Sequence, residues 1–176
     1  MSESCLISKK LKTTKHLTVH IRGAIEDFEE YDDLVTEFKS LEKTDMVTVC
    51  LNTPGGDCSV GFFIIDQIKA LECLVTLQVD YPSCSMGAIT ALCGDSLTLQ
   101  PDTYIMFHDY SGGTRGKGEE TIQYTTNYRK IFKERFTRLC YPFLSKAEIN
   151  KMFKGEDIYI HWDDPTLGER CRKHFG

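Results

Sequence analysis

The chain reads as an α/β protein, and three observations predict it. Short apolar or alternating runs, the mark of strands, trade places with longer runs whose apolar residues recur at helical spacing. The links between them are short. Glycine and proline cluster where the strand-like runs stop, which suits tight turns into helices. Such alternation favours right-handed β-α-β units packed into one sheet.

The elements follow in order. Leu17-Thr18-Val19-His20-Ile21 is a strand that ends before Gly23. Tyr31 to Leu41 carries Leu34, Val35, Phe38 and Leu41 at helical spacing. Met46 to Leu51 is a short buried strand, and it ends in Asn52-Thr53-Pro54-Gly55-Gly56-Asp57. A helix is expected from about Ser59, with Val60, Ile64, Ile68 and Leu71 on one face. Leu74 to Val79 alternates like a strand, and a helix follows Ser85. Leu97-Leu99 and Tyr104-Phe107 are further short strands. A long helix runs from Glu119 to about Leu139, with a stripe of Tyr124, Tyr128, Ile131, Phe132, Phe136 and Leu139 expected to cover a core. Ser145 with Glu148 reads as a capping box for a short helix to about Phe153. Asp164 would cap a last helix with Pro165 in its first turn.

Three short segments carry chemistry. Ser85 lies in Ser83-Cys84-Ser85-Met86-Gly87-Ala88, between a strand and a helix. A serine at such a junction, with small neighbours, exposes its hydroxyl near a helix N-terminus, and that suits a nucleophile. An isolated Ser-x-Gly is more often a helix cap. Upstream, Pro54-Gly55-Gly56 opens a helix and offers free backbone N–H groups to an anion or oxyanion. By itself it is an ordinary tight turn. Downstream, His108 closes the strand Tyr104-Phe107, a usual place for a general base.

Together, Asn52-Thr53-Pro54-Gly55-Gly56, Cys84-Ser85-Met86-Gly87-Ala88 and Met106-Phe107-His108 resemble the proteolytic subunit of the Clp protease (ClpP) family in motif, order and spacing. Gly112-Gly113-Thr114-Arg115-Gly116, with Glu119-Glu120 opening the next helix, is similar to that family's glycine-rich segment. The resemblance covers roughly His16 to the C-terminus. It implies the ClpP/crotonase-like fold, a repeated β-β-α superhelix with a projecting handle helix. It also implies roles. Ser85 would be the nucleophile, His108 its base, and the N–H groups of Gly56 and Met86 the oxyanion hole. Asp157, in Gly155-Glu156-Asp157-Ile158-Tyr159, matches the family's third member, with Asp163 and Asp164 as runners-up. Two departures stand out. Asp109 follows the base where the family usually has Gln, and Phe175-Gly176 lies farther from Asp157 than the family's Tyr-Gly step.

The expected organisation is one domain over residues 1–176, with 1–16 a flexible N-terminal segment and 111–140 the handle-like segment. Ser111 to Gly118 holds four glycines in eight residues. By family analogy the chain is a homo-oligomer, a heptameric ring or two stacked rings, served by an AAA+ unfoldase. Its substrates would be peptides or unfolded proteins.

Composition bounds the alternatives. A formal charge of −5 argues against nucleic-acid binding, which needs a basic surface. The lysines Lys9, Lys10, Lys12 and Lys15 suit a solvated tail. No apolar run nears the ~20 residues of a membrane span, and Met1-Ser2-Glu3-Ser4-Cys5 begins no signal peptide. A cytoplasmic protein with no membrane partner is expected. The eight cysteines make no Cys-x-x-Cys pair and no zinc-like spacing. Reduced core thiols follow, with no metal and no cofactor. Two other functions stay open: an inactive structural ring subunit of the same fold, and a crotonase-like thioester enzyme that would not need Ser85 and His108 together.

Overall fold

The computed structural model describes residues 13–176. Cys5, Lys9, Lys10, Lys12 and most of the segment 1–16 lie outside the described residues.

Strand β1 (His16–Arg22) pairs in parallel with β2 (Met46–Asn52), and β2 with β3 (Leu74–Val79). Helix α1 (Asp32–Lys39) follows a 3-10 turn at Glu29–Tyr31 and links the first two strands. Helix α2 (Cys58–Lys69) links the next two. A two-residue strand, β4 (Ser83–Cys84), leads into the short helix α3 (Met86–Thr90) and then β5 (Ser96–Leu99). The main sheet is parallel throughout, in the order β1-β2-β3-β5. The α/β architecture expected from the alternating pattern is therefore the one observed.

The two sides of this sheet differ. Val47, Val49, Leu51, Val75, Leu77 and Val79 point into the core and are buried. Burying each such side chain contributes ~1.5–3 kcal/mol. The opposite side alternates to His20, Thr48, Thr76 and Gln78. Parallel strands are usually apolar on both sides, so this polar side is a departure.

A second sheet joins β4, β6 (Tyr104–Phe107) and β7 (Ile158–His161). Strand β4 runs parallel to β6, and β7 runs antiparallel to it. The sequence showed neither β4 nor β7 as strands. Two residues are too few for a periodic signal, and Ile158-Tyr159-Ile160 reads only as an apolar run.

Between β6 and β7 lie α4 (Gly118–Cys140) and α5 (Lys146–Met152). The capping box of α5 is formed as expected: Ser145 Oγ accepts from the Glu148 N–H, and Glu148 accepts from the Ser145 N–H at 2.8 Å. The long helix needs a correction. Phe132, Phe136 and Leu139 are buried, but Ile122, Tyr124 and Ile131 are 60, 58 and 61% exposed. Ile131 sits about 100° around the helix from Phe132, so one face cannot serve both. The turns of α4 before Tyr128 cover no core.

The last helix, α6 (Leu167–Phe175), starts later than expected. Asp164 Oδ1 accepts from the Thr166 N–H at 2.7 Å and the Thr166 hydroxyl at 2.6 Å. Asp164 thus builds the turn that precedes the helix, and Pro165 lies within that turn.

Candidate active site

The two sheets bring the three motifs to one place. Strand β4 is paired so that Ser83 faces Ile105 and Cys84 faces Met106. The Ser85 N–H then donates to Met106 O at 2.8 Å, and the chain turns sharply into α3. Ser85 adopts φ 55, ψ −122. Among the described residues only Ser85 and Asp102 have positive φ without being glycine. Such a conformation costs ~1–3 kcal/mol and persists only where its surroundings hold it. The Ser85 side chain makes no capping hydrogen bond to α3. Ser85 therefore occupies the cap position without acting as a side-chain cap.

The Thr53–Gly56 turn rests directly on this junction. Thr53 Oγ1 accepts from the Gly55 N–H at 3.0 Å, and Thr53 O accepts from the Cys84 N–H at 2.9 Å. A Cβ on Gly55 would lie 2.6 Å from Ser85 Cβ and 2.7 Å from Cys84 O. A Cβ on Gly87 would lie 2.5 Å from Thr53 Cγ2. The two turns can meet only because both glycines lack side chains. Asp57 then caps α2, accepting from the Ser59 and Val60 N–H groups. The N–H groups of Gly56 and Met86 donate no hydrogen bond to any described residue. Each flanks the place where the turns touch.

His108 follows β6 and is half-buried. Its Nδ1 lies 2.5 Å from Asp109 O. A carbonyl only accepts, so this bond places the proton on Nδ1 and leaves the lone pair on Nε2. The Asp109 carboxylate is turned away from the ring. It accepts from the Tyr110 N–H at 3.0 Å and pairs with Arg129 of α4 at 3.1 Å. Nothing in the spacing of the sequence indicated the Arg129 contact.

Asp157 stands at the start of β7. The antiparallel register ends on the pair Phe107 and Ile158, and His108 and Asp157 are the next residues beyond it. Asp157 is exposed. Asp163 lies past the other end of β7, a strand that itself spans roughly 13 Å at ~3.3 Å per residue. Asp164 is held by Thr166, first through its hydroxyl, which sets its carboxyl below the usual carboxylate range. Among the described residues no hydrogen bond joins Ser85, His108 and Asp157 to one another.

Beside Gly56 is a cavity of about 210 Å³. The outset of α2 forms one wall through Asp57, Cys58 and Ser59, and Tyr110, Tyr124 and Tyr128 form another. Tyr128 stacks on Tyr124 and meets Tyr110 edge-on. Burial pushes the Tyr128 hydroxyl and the Cys58 thiol up. Cys84, the neighbour of Ser85, is likewise pushed up by burial. A thiol held protonated is a poor nucleophile, which leaves Ser85 the better candidate of the two.

Comparison with known proteins gives one family. The Clp protease family model matches residues 5–150. The ATP-dependent Clp protease proteolytic subunit 1 of Chlamydia pneumoniae is 35% identical over 77 residues, 43% of this chain and 40% of that protein. The proteins of the same name from Chlamydia muridarum and Chlamydia caviae are each 34% identical over 77 residues. The aligned part thus spans about two fifths of the length of these curated relatives.

Proposed function

The chain belongs to the Clp protease family, and from that premise we propose that it is a serine endopeptidase subunit of the ClpP type. Ser85 Oγ attacks the peptide carbonyl while His108 Nε2 takes its proton. The N–H groups of Gly56 and Met86 hold the oxyanion. His108 returns the proton to the leaving amine, and water releases the acyl group by the same steps in reverse. Asp157 would take the place of the Asp109 carbonyl at His108 Nδ1 and stabilise the imidazolium. Its place just beyond the Phe107–Ile158 pair, at the His108 end of β7, supports this role over Asp163, and the Thr166 bonds of Asp164 argue against the third candidate. The aromatic cavity beside Gly56 suits an apolar substrate side chain.

One observation carries the reading. Ser85 is held in a strained conformation, makes no cap, and is flanked by two unpartnered N–H groups. Losing one such donor costs about 3 kcal/mol in known enzymes. A fluorophosphonate probe tests it. Labelling at Ser85 is expected, and it should vanish in Ser85→Ala. Labelling confined to Cys84, or unchanged in Ser85→Ala, would refute the assignment.

A second reading is an inactive ring subunit. It is favoured by the missing hydrogen bonds among Ser85, His108 and Asp157. Absent labelling of a folded, assembled protein would support it. A ring of identical chains is proposed for either reading, because α4 leaves Ile122, Tyr124 and Ile131 uncovered. An AAA+ unfoldase partner and a cytoplasmic setting complete the proposal. No helix among the described residues is long and apolar enough to cross a membrane.

A further inference from the structure

We propose that His20, Cys50 and Asp80 form a binding site for one divalent cation of the zinc class, at the carboxyl ends of β1, β2 and β3. The sheet register creates it. His20 is the direct partner of Cys50 across β1 and β2, and Cys50 is the partner of Gln78 across β2 and β3. Side chains two apart share a side of a strand, so Asp80 falls on the side of Gln78. The Asp80 N–H donates to Leu51 O at 3.1 Å, which keeps it beside β2. The three ligand atoms lie within 4.8 Å of one another. Tetrahedral zinc bonds of about 2.0–2.3 Å set ligand atoms ~3.3–3.8 Å apart. Side-chain rotation of about 1 Å closes the difference.

The chemistry of the set matches such an ion. It offers one imidazole nitrogen, one sulfur and one carboxylate, the ligand types zinc takes. A thiolate and a carboxylate together balance the charge of two. Cys50 is only 5% exposed. Binding at Cys50 releases its thiol proton: the S–H bond breaks, an S–metal bond forms, and one proton leaves to solvent. The surroundings already orient the ligands. Gln78 Nε2 donates to Asp80 Oδ1 at 2.6 Å. Arg22 Nη2 lies 3.3 Å from His20 Nδ1 and steadies the ring. Three protein ligands leave a fourth position for water or for a ligand from a partner.

The position matters for the rest of the molecule. Asn52, two residues after Cys50, leads into the Thr53–Gly56 turn, and Asp80 leads through Tyr81 and Pro82 to Ser83. A bound cation would tie the strand ends from which both turns of the candidate site spring.

Cobalt(II) added to the metal-free full-length protein tests this. One cobalt per chain is expected, with a sulfur-to-cobalt charge-transfer band that zinc bleaches by displacement. The band should be lost in Cys50→Ser, and His20→Gln should weaken binding by at least about tenfold. A band that survives in folded Cys50→Ser overturns the proposal, as does a wild-type protein that binds no cobalt at millimolar concentration. Should Cys50→Ser fail to fold, His20→Gln decides, because His20 is exposed. Unweakened binding in that variant overturns the proposal.

Discussion

Gly55→Ala tests the contact that unites the two turns. Gly55 has φ +92, and its new Cβ would meet Ser85 Cβ at 2.6 Å, Cys84 O at 2.7 Å and Met86 N at 2.9 Å. Two of these atoms are backbone, so no flexible side chain can yield. A side chain at such a φ costs ~1–2 kcal/mol, and overpacking adds ~1–3 kcal/mol. The sum is about 2–5 kcal/mol. At ~2–4 °C per kcal/mol for a chain of this size, the melting temperature should fall by roughly 4–20 °C. Gly155 supplies the control. Its φ is +95, but a Cβ there meets nothing within 4 Å. Gly155→Ala should therefore cost only the strain, ~1–2 kcal/mol. Melting curves of both variants at one protein concentration isolate the contact. If Gly55→Ala is no less stable than Gly155→Ala, the close approach of the turns is wrong. Fluorophosphonate labelling of Ser85 should also drop sharply in Gly55→Ala and stay unchanged in Gly155→Ala.

Three further outcomes follow from other parts of the molecule. Burial alone would raise the Glu148 carboxyl, but hydrogen bonds from Arg170 and Ser145 outweigh it and hold it at about 2, against an ordinary 4.5. A lowered folded value stabilises above the unfolded pKa and is lost as pH falls through the folded one. Urea unfolding should thus show a contribution of about 3 kcal/mol near pH 6 that fades between pH 4.5 and 2 and is missing in Glu148→Gln; an unchanged pH slope in that variant refutes it. Ile131→Glu places a charge on the exposed side of α4, and sedimentation should show smaller assemblies than wild type, with an identical distribution counting against α4 as an interface. Ser85→Gly should be more stable than Ser85→Ala by ~1–2 kcal/mol, since glycine takes φ 55 with no Cβ to clash; equal stability in thermal melts would mean Ser85 carries no strain.

Much of the parallel sheet was legible because its strands are periodic and its turns are rich in glycine. Met46–Leu51 and Leu74–Val79 match their strands to within a residue. The placement of Ser85 between a strand and a helix, and of His108 just past a strand, was legible because the period changes there. What escaped was what depends on pairing between distant segments. Strand β7 is four residues long and carries no turn signal of its own. Its pairing with β6 puts Asp157, and not Asp163, at the end of the ladder where His108 follows β6. The grouping of His20, Cys50 and Asp80 escaped for the same reason, since their separations in sequence resemble no metal-binding spacing. The stripe on α4 failed differently. Helical spacing reports which residues share a face, and not whether another element lies beneath it.

The conformation of Ser85 links these levels. A serine that only capped α3 would take an extended backbone and bond the first N–H groups with its hydroxyl. Ser85 does neither, although Asp57 and Ser145 in this same chain do both. The difference lies in what holds the backbone. Ser85 N–H is fixed to Met106 O, Cys84 N–H to Thr53 O, and Ser85 O accepts from the Ile89 N–H at 3.1 Å. Gly55 closes the remaining space. Three hydrogen bonds to three different segments are enough to impose ~1–3 kcal/mol of strain. The result turns the hydroxyl away from the helix it precedes and leaves the Met86 N–H unpartnered. A stability-driven junction would do the reverse. The strain is therefore the strongest single reason to treat this junction as a site of chemistry.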